Sequence, residues 1–316
     1  MESLSGFVDL QVNGFLGVDF SSPELTEADF VLACRALLAQ GPAVSAAEST
    51  AAFLPTVITS SFNTYARNLP LMADVMAREE FQERLLGFHL EGPFISRVPG
   101  AVGAHNPAYV CDPDVALLEQ LLDWAGGRVR LLTLAAELPG ADDLARCAVE
   151  RGIAVSIGHS LFTTADLDRM ADAGATALTH LGNGLPNVLP RHDNPLWAGL
   201  AHDAYTAMLI TDGHHLPASV LKTAIRAKGV DKFIVVSDAS PVAGLPPGRY
   251  RFLDNDAILE PSGRFHNPEK QCLVGSSATM AQCMAYLALL GELTEEELVR
   301  VGRGNPLGLI KTRKVF

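Results

Sequence analysis

Short apolar runs recur along the chain, and most of them stop at a polar or charged residue. Phe7 to Val12, Leu54 to Thr59, Leu85 to Leu90, Val129 to Leu134, Ile153 to Gly158, Thr176 to Thr179, Ala207 to Thr211 and Phe233 to Ser237 have the length of strands rather than helices. Five of these eight runs are followed at once by a group capable of chemistry: Glu91, His159, His180, Asp212 and Asp238. The stretches between them carry helical spacing. Thr26 with Asp29 resembles a capping box and opens a helix to about Gln40, while Tyr65 to Arg78 sets Leu69, Met72, Val75 and Met76 on one face. Further helices are predicted over Val115 to Trp124, Ala141 to Arg151, Thr163 or Thr164 to Ala173, Pro217 to Lys228 and Thr279 to Leu290, with a short terminal one from Thr294. Gly41 to Ala52 is weakly patterned and reads as a loop or a frayed helix.

Eight strands alternating with helices predict an α/β fold, a (β/α)8 TIM barrel formed by residues 1–316 as one domain. Arg249 to Phe252 and Ala257 to Leu259 read as a hairpin excursion after the eighth strand. In a parallel barrel all strand C-termini meet one rim, so the polar strand ends converge there.

Composition narrows the function. With 48% hydrophobic residues the chain can bury a large core, and its net charge of -12 argues against a nucleic-acid or anionic-membrane surface. An anionic small substrate remains open, because charge is screened over about 8 Å and local cations decide binding. Five cysteines, widely spaced and without a C-x-x-C pair, indicate neither a disulfide framework nor a thiolate metal site. The first residues, Met1 to Ser5, lack a basic region with an apolar stretch behind it, and no apolar run is long enough to span a bilayer. A cytoplasmic protein is expected.

Glu91, His159 and His180 offer two imidazoles and a carboxylate, a set that leaves an open position on a metal such as zinc, as hydrolytic sites do. The bland reading is that any barrel rim collects polar residues. Asp238 or Asp212 could serve as general base, and spacing does not choose between them. His89 shares a strand face with Glu91 and reads as a hydrogen-bond partner rather than a ligand. Two long loops at strand ends, Gly92 to Pro113 and Leu181 to Leu200, are of the kind that usually carries function.

Taken in order, Gly6-Phe7-Val8-Asp9-Leu10-Gln11-Val12-Asn13-Gly14, His89-Leu90-Glu91-Gly92-Pro93-Phe94, Ala104-His105-Asn106-Pro107, Gly158-His159-Ser160, Thr179-His180-Leu181, Asp212-Gly213-His214-His215, Ser237-Asp238-Ala239 and Gly275-Ser276-Ser277 resemble the N-acetylglucosamine-6-phosphate deacetylase family of the amidohydrolase superfamily. The resemblance covers nearly the whole chain. It implies Glu91, His159 and His180 as metal ligands, Asp238 as catalytic acid/base and His105 as the group that polarises the acetyl carbonyl. It further implies that His215 rather than His214, Asn183 with the Gly184 backbone, and Arg191, which could serve a neighbouring subunit of a homodimer, hold the sugar phosphate.

Two departures stand against the family pattern. The flanking segments that pair into a small β-sandwich are missing, so no separate sandwich is expected. The loop Gly182-Asn183-Gly184-Leu185-Pro186 is smaller than the family's usual version, and Arg191 to Pro195 is altered. In place of the His-x-His pair of binuclear amidohydrolases stands Gln11-Val12-Asn13, which implies one divalent metal per chain. Zinc is expected; Fe, Mn and Co also suit the ligand set. Gln11 and Asn13 are left to face the substrate or to support the centre. The expected activity is hydrolysis of an N-acetyl amino sugar; another small amide or a cyclic imide, or a binding role without catalysis, are the alternatives.

Overall fold

The protein is described by a computed structural model covering residues 5–39, 49–252, 255–269 and 272–311. Eight parallel strands form one sheet in chain order: β1 (Phe7–Val12), β2 (Thr50–Ile58), β3 (Phe88–Glu91), β4 (Val129–Leu134), β5 (Ala154–Ile157), β6 (Ala177–Leu178), β7 (Thr206–Ile210) and β8 (Phe233–Val236). A single bridge between Val12 and Ala239, with the Asn13 N–H on the Ala239 carbonyl at 2.7 Å, brings the last edge back to the first. The TIM barrel expected from the strand count is therefore present and nearly closed.

The helices α1 (Glu27–Leu38), α2 (Phe62–Met76), α3 (Val115–Trp124), α4 (Ala141–Glu150), α5 (Thr164–Asp172), α6 (Pro195–Ala201), α7 (Ala218–Lys228) and α8 (Met280–Leu289) lie between the strands or follow them. Their starts follow from capping chemistry: Thr26, Ser61, Asp114, Thr163, Asn194 and Thr279 each accept a backbone N–H of the first turn. Asn194 with Pro195 at the first helical position starts α6 inside the stretch that sequence patterning reads as loop to Leu200. A second difference lies at β2, which begins at Thr50 rather than Leu54, because Thr50 and Ala52 pair with β1. The weakly patterned segment before it lies outside the described residues as far as position 48, as do Met1 to Leu4 and Gln40.

The barrel interior is layered. Val8, Leu10, Ala52, Leu54, Leu131, Met208, Ile210, Ile234 and Val236 fill its apolar part in successive levels, together with Ile310. Above them runs a belt of buried hydroxyls and one imidazole. Ser156 Oγ meets Thr179 Oγ1 at 2.6 Å, Thr179 meets Thr133 at 2.7 Å, Thr133 meets His89 Nε2 at 2.7 Å, and His89 Nδ1 stands 3.3 Å from Thr56. Every polar atom of that belt is paired, which makes its burial tolerable. Burial pushes His89 down to about 4, so the ring is neutral. His89 thus bonds to the belt rather than to Glu91.

The excursion after β8 is larger than a hairpin. It is a four-stranded antiparallel sheet, β9 (Gly248–Phe252), β10 (Asn255–Leu259), β11 (Phe265–Asn267) and β12 (Cys272–Leu273). Val242, Ala257, Leu259, Phe265 and Val274 give it a core of its own, with Ala104 packed against it. Among the described residues the other sheet is a ribbon of Gly14–Phe15 with Val18–Asp19, and none of them forms a sandwich. Among them, too, no helix is long and apolar enough to cross a membrane.

Candidate metal and catalytic centre

Glu91 is the last residue of β3, His159 and His180 stand two residues past the ends of β5 and β6, and the barrel brings them together. Glu91 Oε1 lies 3.1 Å from His159 Nε2 and 2.8 Å from His180 Nε2. His105, on the loop after β3, puts its Nε2 3.2 Å from His159 Nε2. Exposure is 2% for Glu91, 3% for His180, 6% for His159 and 7% for His105, so the group is shut from solvent. Glu91, His105 and His159 offer donor atoms all within 4.8 Å of one another, and His180 touches the same carboxylate oxygen.

These residues fit a metal ion. The Nδ1–H of His159 is given to the Ala101 carbonyl at 2.9 Å, which leaves the Nε2 lone pair facing Glu91. Two lone pairs at that distance need a proton or a cation between them. Burial works to raise Glu91, but its close contacts with the His159 and His180 rings hold it well below the usual carboxylate range. Burial likewise works to lower His180, and its bond to Glu91 outweighs that and leaves it raised. Both shifts report a buried anion calling for positive charge.

The backbone pays for this convergence in strain. His159, His180 and Asp238 have φ of 49°, 30° and 51°, three of the five non-glycine residues with positive φ among the described residues. Each such residue costs on the order of 1 to 3 kcal/mol and persists only where its surroundings hold it. The left-handed corner turns the chain out of the strand at the barrel mouth. Two glycines then crowd the His159 ring: a Cβ added to Gly103 would stand 2.8 Å from Cε1, and one added to Gly184 2.8 Å from Nδ1. Both lie in the left-handed region, at φ 59° and 60°.

Asp238 is half-buried at the barrel mouth, and its Oδ1 accepts the Asn13 amide at 2.7 Å. Burial, then the charge of Glu91, pushes it up to about 6, the range useful for proton transfer near neutrality. Asp212 differs. Its Oδ2 accepts His215 Nδ1 at 2.7 Å, its Oδ1 takes the backbone N–H groups of His214 and His215, and these bonds hold it far below the usual range against the effect of burial. The two candidates for a base are therefore separated by environment: Asp212 is committed to His215, and Asp238 is not. His214 spends Nε2 on the Ser262 carbonyl, whereas His215 keeps Nε2 free of the Asp212 bond.

Other sequence-derived candidates fall differently. Gln11 is fully buried with neither amide atom partnered among the described residues, and Asn13 keeps an unpartnered Oδ1. Asn183 gives its amide to the His180 carbonyl at 3.2 Å. Arg191 stands exposed on the rim loop, its carbonyl accepting the Trp197 indole N–H, and the structure does not bring its side chain to the centre. Sequence reading missed Glu137, whose carboxylate accepts the Ser160 hydroxyl and, at 2.9 Å, the Leu161 N–H. It also missed Asp9, although a carboxylate inside the apolar run Phe7 to Val12 is a visible signal.

Comparison with known proteins follows the same line. The human N-acetylglucosamine-6-phosphate deacetylase is 32% identical over 98% of this chain and 74% of its own length. An N-acetylgalactosamine-6-phosphate deacetylase from Escherichia coli O157:H7 is 28% identical over 96% of this chain and 77% of its own. A mutant N-acetyl-D-glucosamine-6-phosphate deacetylase from Mycobacterium smegmatis, solved with N-acetyl-D-glucosamine-6-phosphate, superposes with a TM-score of 0.85 at 26% identity, covering 97% of this chain and 77% of the other. No family model matches the chain.

Proposed function

Because the chain belongs to the N-acetylglucosamine-6-phosphate deacetylase family, we propose that it hydrolyses the acetamide of N-acetylglucosamine 6-phosphate to glucosamine 6-phosphate and acetate. The observation that carries this reading is the buried Glu91, His159 and His180 group at the strand ends, with Asp238 beside it. A divalent metal held by Glu91, His159 and His180 would supply Lewis acidity to the acetyl carbonyl and to the attacking water. Asp238 takes a proton from that water and passes it to the amine nitrogen as the C–N bond breaks. His105, pushed down to about 3 by burial and so neutral, has an unpartnered Nδ1 to offer the acetyl oxygen.

We read one metal per chain, zinc before Fe, Mn or Co, since the amides of Gln11 and Asn13 are poor transition-metal donors and Asn13 already serves Asp238. Metal analysis of purified protein should give a ratio near one; a ratio near two would defeat this. The phosphate falls to His215, Asn183, the Gly184 backbone and Arg191, and a homodimer gives the exposed Arg191 a neighbouring site to serve. The free thiols of Cys34, Cys111, Cys147 and Cys283 favour the cytoplasm.

Acetate release from N-acetylglucosamine 6-phosphate, its galactosamine epimer and plain N-acetylglucosamine tests the reading. Turnover should be fastest on the first, and equal rates with the unphosphorylated sugar would remove the phosphate from it. Arg191→Ala should raise KM for the phosphorylated substrate by about 10- to 100-fold, the loss of a charge-assisted contact worth roughly 1.5 to 3 kcal/mol.

A further inference from the structure

We propose that Asp9 is a positioning residue: through Ser237 it holds the left-handed corner at Asp238 and so fixes where the Asp238 carboxylate stands in the barrel mouth. This rests on the reading of Asp238 as the proton-transfer group. Asp9 lies in β1 between Val8 and Leu10, which fill the barrel, so its side chain leaves the wall on the opposite face. It is buried, and its partners all lie on two strand ends. Oδ1 accepts the N–H groups of Gln11 and Ser237, each at 3.2 Å, and Oδ2 accepts the Ser237 hydroxyl at 2.5 Å.

Ser237 carries the constraint across the corner. Its Oγ, fixed by Asp9, accepts the Ala239 N–H at 3.1 Å, so the main chain before and after Asp238 is tied to one hydroxyl. The Ser276 N–H holds the Asp238 carbonyl at 3.3 Å, and Asn13 aims the carboxylate. Without Asp9 the Ser237 hydroxyl keeps only its 3.4 Å contact with the Gln11 carbonyl and can turn, which weakens its hold on the Ala239 N–H and on the φ of 51° at Asp238.

A buried carboxylate with no cationic partner among the described residues is a poor device for stability, since an apolar residue would pack the same wall without desolvating a charge. What Asp9 holds gives the better account of it. The construction recurs at the His159 corner, where Glu137 binds the Ser160 hydroxyl and the Leu161 N–H, and the Ala136 N–H donates to Ser160 Oγ at 3.0 Å. In both places a carboxylate outside the centre grips a serine beside a left-handed centre residue.

The test compares Asp9→Asn, Ser237→Ala, the double variant and Asp238→Asn, all metal-loaded, by steady-state kinetics and metal content. An asparagine has one acceptor oxygen where Asp9 uses two. Asp9→Asn and Ser237→Ala should each lower kcat by about 10- to 100-fold with KM within about threefold of wild type, as expected for misplacement of a reacting group. Metal content should stay at the wild-type value, and the double variant should lose little more than the worse single one, because both changes cut the same link. Wild-type kcat in both single variants while Asp238→Asn is impaired would overturn the role of Asp9 and leave that of Asp238 standing. Losses that multiply in the double variant, or that follow loss of metal, would overturn it too. Full turnover by Asp238→Asn would remove the reading on which the proposal rests. Should Asp9→Asn fail to fold, Ser237→Ala, which deletes one hydroxyl, decides alone.

Discussion

Glu91→Gln is expected to empty the metal centre and to abolish acetate release with it. Glu91 supplies the only anion in a set whose other members are imidazoles, and one of its oxygens faces both His159 Nε2 and His180 Nε2. The amide is nearly isosteric, and the backbone pairings of Glu91 with Ile58 and Thr133 do not involve the side chain, so the barrel should persist. What changes is charge. A neutral ligand set loses the attraction that offsets dehydration of a divalent ion, and even removal of a residue that merely supports a ligand costs about 10- to 100-fold in metal affinity. Loss of a charged ligand should exceed that. Metal per chain after dialysis and acetate release from the phosphorylated sugar are the two readouts. A variant that kept near-stoichiometric metal and turned over at the wild-type rate would show that Glu91 is not a ligand.

Much of this arrangement is legible in the sequence, for a specific reason. A parallel barrel hides its strands, so each reads as an apolar run, and a charge or imidazole at the end of such a run stands out. Glu91, His159, His180 and Asp238 are visible in that way. The conformations that aim them are not. Nothing in Gly158-His159-Ser160 or Ser237-Asp238-Ala239 announces a left-handed residue at its middle, because the cause lies far off in sequence, in Glu137 and Asp9. His105 is legible as part of a long loop, but its 3.2 Å approach to His159 depends on Gly103 and Gly184 having no side chains to block it.

The misreadings share a cause as well. β2 runs back to Thr50 because pairing with β1, not the local pattern, sets its start. The sheet after β8 grows from two strands to four because Phe265–Asn267 and Cys272–Leu273 are too short and too weakly patterned to stand out, yet they complete a core around Phe265 and Val274. That core is not remote from the centre. Ala104 packs against it, which places the accessory sheet behind the loop that delivers His105.

Asp238→Asn is expected to keep the metal and to lose most of the turnover. The two halves of that expectation separate a proton-transfer role from ligation. Asp238 is bonded through Oδ1 to the Asn13 amide, and its interaction with Glu91 is one of charge at a distance rather than contact. An asparagine can keep the Asn13 bond with its own carbonyl oxygen, so the local packing and the corner at Ser237 should survive. It cannot accept a proton from water or give one to a departing amine. An amine is a poor leaving group unless protonated, so the missing proton acts at the step where the C–N bond breaks, and general acid/base groups typically contribute about 10²- to 10⁴-fold. The loss should fall on kcat and kcat/KM alike, because the interaction removed is made in the transition state and not in the ground state. Metal content equal to wild type with at least about a 10²-fold fall in kcat supports the assignment. Loss of the metal on this change would make Asp238 a ligand instead, and turnover near the wild-type rate would send the search for the proton carrier back to Asp212 and His215, which already share a proton at 2.7 Å.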